Sequence, residues 1–125
     1  MCEFTCEKCR GIKPLRTHHC SVCNSCTLMM DHHCLWAHSC IGNNNYKYFM
    51  QLNLFGMLGG LYTGATLTLC SYTQNQEYKN HETFYLIFKY LDLLIGKFLL
   101  LLFGWNIYVM LTGYTHIEFK NLLET

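Results

Sequence analysis

The stretch "THHCSVCNSCTLMMDHHCLWAHSC", residues 17–40, overlays itself when shifted by 14 positions: THHC falls on DHHC, and each copy runs on to a matching Ser-Cys. The same shift carries Cys6 onto Cys20, Cys9 onto Cys23, His19 onto His33 and Cys26 onto Cys40. Each register reads C-x2-C-x9-H-x6-C, and three thiolates with one imidazole complete the tetrahedral set of a structural Zn2+. Cys6, Cys9, His19 and Cys26 are therefore expected to hold one zinc, and Cys20, Cys23, His33 and Cys40 a second. The spacing leaves open which histidine of each pair binds, because His18 and His32 obey the same shift. The sets interleave, which predicts two knuckles clasped through one another. An iron–sulfur cluster would draw on cysteine alone. With few apolar residues before position 40, the metals are expected to supply the folding energy.

Cys34 belongs to neither set. The shift places it where a third would begin, but the next C-x-x-C partner would be residue 37, which is Ala37. Cys34 is thus an orphan thiol between two zinc ligands, His33 and Cys40. A nucleophilic cysteine needs a base beside it. If His33 is fixed on metal, His32 is free to take the thiol proton, with Asp31 holding its tautomer. Thr17 stands at the matching place before the first HHC, so the carboxylate accompanies only the orphan cysteine. Asp31 equally suits orienting a zinc histidine, and the residues alone leave both readings open. Cys2 also lacks a set, near the terminus, and is expected to have no role.

Downstream the composition changes. From Tyr48 to Gln76 there is no formal charge over 29 positions, longer than the roughly 20 apolar residues that cross a bilayer. Lys47 and Glu77 bracket the run, and Tyr46, Tyr48 and Tyr72 suit its interfaces. Gly56, Gly60 and Gly64 recur every fourth residue, a smooth strip for close helix approach. Lys89, Asp92 and Lys97 interrupt the start of a second apolar region, which predicts a span of about 93–113 with Lys97 snorkelling. The expected organisation is a cytosolic zinc domain over 1–46, a transmembrane helix over 47–76, a non-cytosolic loop and helix start over 77–92, a second transmembrane helix over 93–113, and a cytosolic tail over 114–125. The fold class is a small irregular zinc-knuckle domain followed by an α-helical transmembrane hairpin. Lys8, Arg10, Lys13, Arg16 and Lys47 favour the cytosol for the cysteine-rich side.

The same compartment follows from the cysteines, whose mixing with paired histidines points to metal ligation rather than disulfides. The N-terminus lacks the apolar core of a signal peptide. Nine Lys and Arg against eight Asp and Glu give no basic face for nucleic acid.

"CEKCRGIKPLRTHHCSVCNSCTLMMDHHCLWAHSCIGNNNYKYF", residues 6–49, resembles the cysteine-rich domain of the DHHC-type protein S-acyltransferases, the palmitoyltransferases. The Lys13-Pro14-x-Arg16-x2-His19-Cys20 run, Met30 to Cys34, and Cys40-Ile41-Gly42-x2-Asn45-x3-Phe49 carry the match. The resemblance implies a two-step exchange of thioesters: Cys34, activated by His32 and Asp31, takes a long-chain acyl group from acyl-CoA such as palmitoyl-CoA. It then passes the group to a substrate protein's cysteine near the membrane. It also implies two closed structural Zn2+ sites, and supporting roles for Asn45, Trp36, Thr115 and Glu118. Leu35 replaces the family's usual proline, His38 and Ser39 its usual asparagines, and His116 the second threonine of a Thr-Thr-x-Glu motif.

The resemblance further implies helices ahead of the zinc domain. Half of an acyl cavity is thus expected from upstream residues, other subunits or a homo-oligomer. The competing expectation is an inactive truncated membrane adaptor, pairing with a full-length enzyme along the glycine strip. Nothing in the residues distinguishes endoplasmic reticulum, Golgi and plasma membrane.

Overall fold

The computed structural model describes residues 4–73 and 81–124. They fall into two compact units, one of residues 4–49 with 107–124 and one of residues 50–73 with 81–106.

In the first unit the zinc region is three antiparallel hairpins in succession: β1 (Phe4–Cys6) with β2 (Gly11–Lys13), β3 (Thr17–Cys20) with β4 (Ser25–Leu28), and β5 (His32–Cys34) with β6 (Ser39–Ile41). The region expected to be irregular is thus regular, and it repeats with the 14-residue period. Cys6 pairs with Gly11, Cys20 with Ser25, and Cys34 with Ser39. Each turn ends on a residue with left-handed backbone, Arg10 (φ 52°), Asn24 (φ 50°) and His38 (φ 46°), again 14 apart. Asparagine and histidine adopt that conformation more readily than arginine, and the third turn keeps it although its tip belongs to neither ligand set.

The expected clasp takes the form of a relay. Cys6 and Cys9, from the first hairpin, meet His19 and Cys26, a cross-strand pair of the second. Cys20 and Cys23, from the second, meet His33 and Cys40, a cross-strand pair of the third. The middle hairpin therefore serves both sets. Two small apolar clusters complete the unit: Cys20, Met30 and Cys40 with Ile117 against them, and Cys34, Ile41 and Phe49 with Tyr46.

Among the described residues three helices follow: α1 (Tyr46–Thr73), α2 (Glu82–Thr112) and α3 (His116–Leu123). Within 50–106 the glycine strip is used inside the chain itself. Leu99 meets Gly56, Gly96 meets Gly60, and Leu93 meets Gly64. A Cβ on Gly60 would lie 3.2 Å from the Gly96 Cα, so the backbones touch there. Tyr46–Tyr72 of α1 is long and apolar enough to cross a membrane. Thr63 and Thr68 return their hydroxyls to the Gly59 carbonyl at 3.0 Å and the Gly64 carbonyl at 2.7 Å, which satisfies those two donors within the helix. α2 begins at Glu82, ahead of the expected span start at 93, because Lys89 and Asp92 are compatible with a helix that extends beyond its apolar part. Residues 74–76 of the first expected span, most of the expected polar connector and Cys2 lie outside the described residues.

α2 ends at Gly113, whose φ of 76° lets its N–H bond the Met110 carbonyl at 3.1 Å. α3 then starts on a full capping box. The Thr115 hydroxyl accepts from the Glu118 N–H at 3.3 Å, and the Glu118 carboxylate accepts from the Thr115 N–H at 2.8 Å. The segment expected as a cytosolic tail belongs to the same compact unit as the zinc region.

Candidate active site

Four ligand atoms around a Zn2+ at ordinary bond lengths stand about 3.5–3.8 Å apart. In the first set, His19 Nδ1 lies 3.6, 3.2 and 3.8 Å from the sulfurs of Cys6, Cys9 and Cys26, and Cys26 lies 3.6 Å from Cys9. In the second, His33 Nδ1 lies 3.6, 3.3 and 3.7 Å from Cys20, Cys23 and Cys40, and Cys40 lies 3.4 Å from Cys23. These are the edges of tetrahedra with room for an ion. Of each histidine pair it is His19 and His33 whose Nδ1 stands among the sulfurs; His18 and His32 belong to neither sulfur set. Burial, then hydrogen bonds to Cys6 and Cys9, pushes the Cys26 thiol up to about 12; burial, then Cys20 and Cys23, does the same to Cys40. Three sulfurs crowded this closely ionise together only around a cation, so the donor sets fit Zn2+.

Strand alternation then sorts the HHC of β5. Side chains two apart share a face, so His33 turns to the metal while His32 and Cys34 share the opposite face. Both meet Phe49 there. The His32 ring lies edge-on to it at 5.0 Å between centroids, and Cys34, 5% exposed, clusters with it and Ile41. In β3 the same alternation places Cys20, the counterpart of Cys34, in the second metal set.

Asp31 is 2% exposed and its carboxylate takes three hydrogen bonds. Oδ2 accepts from His32 Nδ1 at 2.8 Å and from His116 Nδ1 at 2.7 Å, while Oδ1 accepts from the His116 N–H at 2.9 Å. An ionised carboxylate only accepts, so both rings carry their proton on Nδ1 and leave Nε2 as the basic nitrogen. Burial pushes the Asp31 carboxyl up, but the His116 ring, then the His32 ring, then the His116 N–H outweigh it and hold it below the usual carboxylate range. Asp31, His32 and His116 also form a cluster of metal-ligand types. Their atoms stand at hydrogen-bond distance, unlike the open tetrahedra of the two sulfur sets.

The remaining expected residues divide. Asn45 braces the loop between the last metal ligand and α1, donating to the Cys40 carbonyl and accepting from the Gly42 N–H, both at 2.9 Å. Glu118 takes a two-pronged bond from Arg16, Nε and Nη2 each at 2.7 Å, and Arg16 also donates to the Gly113 carbonyl at 2.9 Å. This guanidinium, foremost, holds the Glu118 carboxyl below its usual value. Thr115 and Glu118 thus seat α3, and neither touches Asp31 in the described hydrogen bonds. Trp36 stands 93% exposed at the hairpin tip. His116 is the residue that sequence reading missed, noted only as the residue that breaks a motif. Its partner lies 85 positions away, and no periodicity links them.

The family model for the DHHC palmitoyltransferases matches residues 3–122. The chain is 36% identical over 119 residues to a probable protein S-acyltransferase 16 of Arabidopsis thaliana, covering 91% of this chain and 42% of that protein. It is 38% identical over 119 residues to palmitoyltransferase ZDHHC15 of Xenopus laevis, covering 90% of this chain and 34% of that one. Against palmitoyltransferase ZDHHC20 of Mus musculus it is 44% identical over 62 residues, half of this chain and 16% of the other. The chain spans less than half the length of these curated relatives.

Proposed function

Because this chain belongs to the DHHC palmitoyltransferase family, we propose that it is a protein-cysteine S-acyltransferase with Cys34 as the nucleophile, His32 as its base and Asp31 as the group that orients His32. The supporting observation is the division of labour within β5: His33 is committed to a metal set, which anchors the strand, while His32 and Cys34 share the other face above a buried carboxylate.

In the loading step, the Cys34 proton passes to His32 Nε2 and Sγ attacks the acyl carbonyl carbon of the donor thioester. The bond from that carbon to the donor's sulfur breaks, and the departing thiolate takes the proton from His32. In the transfer step a substrate cysteine gives its proton to His32 and attacks the acyl group on Cys34. Cys34 leaves and recovers that proton. The two Zn2+, held by the Cys3His sets, are structural, with four protein ligands and no open position. Long-chain acyl-CoA is the proposed donor.

The proposed topology has two crossings, with zinc region and tail on the cytosolic side. Tyr46–Tyr72 supports the first, and the second is proposed over 93–113, with Lys97 near one interface. Proposed substrates are proteins with cysteines near that surface.

The test is expression in membranes with a clickable long-chain fatty acid, comparing wild type with Cys34→Ser. Hydroxylamine-sensitive label on wild type and none on the variant is the expected result. Equal label on both, or none on either with two zincs retained, leaves a membrane adaptor instead.

A further inference from the structure

We infer that His116 is a positioning residue for the Cys34 chemistry: its ring and its backbone N–H together grip both oxygens of Asp31 and present the carboxylate to His32 in one orientation. This rests on the acyltransferase reading above and assigns a role to a residue that the motif resemblance marks only as a departure.

A carboxylate on one hydrogen bond can rotate about its Cβ–Cγ bond, and a rotated Asp31 would no longer face the His32 ring. His116 removes that freedom from two sides. Its N–H fixes Oδ1 at 2.9 Å and its Nδ1 fixes Oδ2 at 2.7 Å, the same oxygen that His32 reaches at 2.8 Å. The two imidazoles stand near-perpendicular, 75° apart with centroids at 6.1 Å, so both reach one oxygen without stacking on each other. His116 is itself placed by three independent contacts around it. Thr115 caps the helix that begins at His116, Arg16 pins Glu118 in its first turn, and Ile117 packs on Cys20, Met30 and Cys40. The first turn of a helix also offers unpaired N–H groups that favour an anion. A threonine here would keep the backbone N–H but offer a short hydroxyl in place of the ring donor, so the Nδ1 half of the grip belongs to this chain's own residue.

The experiment follows Cys34 in the full chain in membranes, by the rate of thioester formation from a long-chain acyl-CoA and by the rate of alkylation with iodoacetamide. Single variants, Asp31→Asn alone among them, and double variants are compared. His116→Leu keeps bulk and removes the ring donor; His116→Asn keeps an N–H close to where Nδ1 stands; Asp31→Asn is combined with each. His116→Leu is expected to slow both rates about tenfold, the scale of one hydrogen bond to a charged group, with the KM for acyl-CoA unchanged. His116→Asn is expected to restore most of the rate. On the Asp31→Asn background His116→Leu is expected to add nothing further.

Overturning results are a His116→Leu chain as fast as wild type, an Asn variant as slow as Leu, full additivity with Asp31→Asn, or a Leu variant that sheds zinc. The last would make the role structural. If wild type forms no thioester, the acyltransferase reading fails on its own, and the alkylation rates still decide the question of His116.

Discussion

Asp31 carries more contacts than any sequence spacing could assign to it. Its three hydrogen bonds leave no place for an amide, which presents one acceptor oxygen and a competing N–H. Asp31→Asn is therefore expected to cut thioester formation on Cys34 about a hundredfold while zinc stays at two per chain, measured by label incorporation against metal content. The metal ligands were legible residue by residue because tetrahedral ligation forces fixed spacings, and a tandem shift exposes them. The choice of His19 and His33 over their neighbours needed the strand, whose alternation decides which ring turns to the metal. His116 was illegible for a plainer reason. A contact across 85 positions leaves no local pattern, and an isolated histidine after an apolar run reads as solvated.

Among the elements, α3 shows what holds a short helix in place. Eight residues make a marginal helix in water, so its position depends on the Arg16–Glu118 fork and the seat of Ile117. Arg16→Gln should free the tail, raising its cleavage rate in limited proteolysis severalfold, in line with about 1 kcal/mol for a partly exposed pair. The pH dependence follows from the carboxyls. Glu118 and Asp31 are both held below their usual values in the folded chain, so their contribution is complete above the unfolded values near 4. Tail protection should hold from pH 7 to about pH 5 and weaken as pH falls through the depressed values.

The helix pair was better announced. Glycines at every fourth position on α1 forecast a close approach, although their partner, Gly96 with Leu93 and Leu99, could be named only from the structure. Gly96→Leu should part the helices and cost about 1–3 kcal/mol, read as a lower denaturation midpoint in detergent. The three hairpins left almost no trace of their own in the sequence. Strands of three or four residues have no room for an alternation to be recognised, and the metal sets them rather than propensity.

Across the whole molecule, the metal sets link the hairpins into one sequence of dependence. Cys40→Ala should lower zinc to one per chain and abolish loading of Cys34, because the set it opens includes His33 of the same strand pair. Cys9→Ala should also lower zinc to one, yet leave measurable loading, since its set lies a hairpin further away. Metal analysis beside label incorporation separates the two. The division of the chain into units was not visible beforehand. Hydropathy places a tail after a span, but it says nothing of which surface that tail returns to.

The relay has an arithmetic of its own. Each tip is completed by a cross-strand pair of the hairpin that follows, so a row of hairpins closes one fewer set than it has members. The final member has no successor: the positions that would complete it fall on Lys47 and Leu54, already in α1. An open-ended row of this design must therefore finish on an unclaimed leading sulfur, presented by the same fold that presents the claimed ones. The role proposed for Cys34 is what remains when a pattern of ligation gives way to a helix before its last member is claimed.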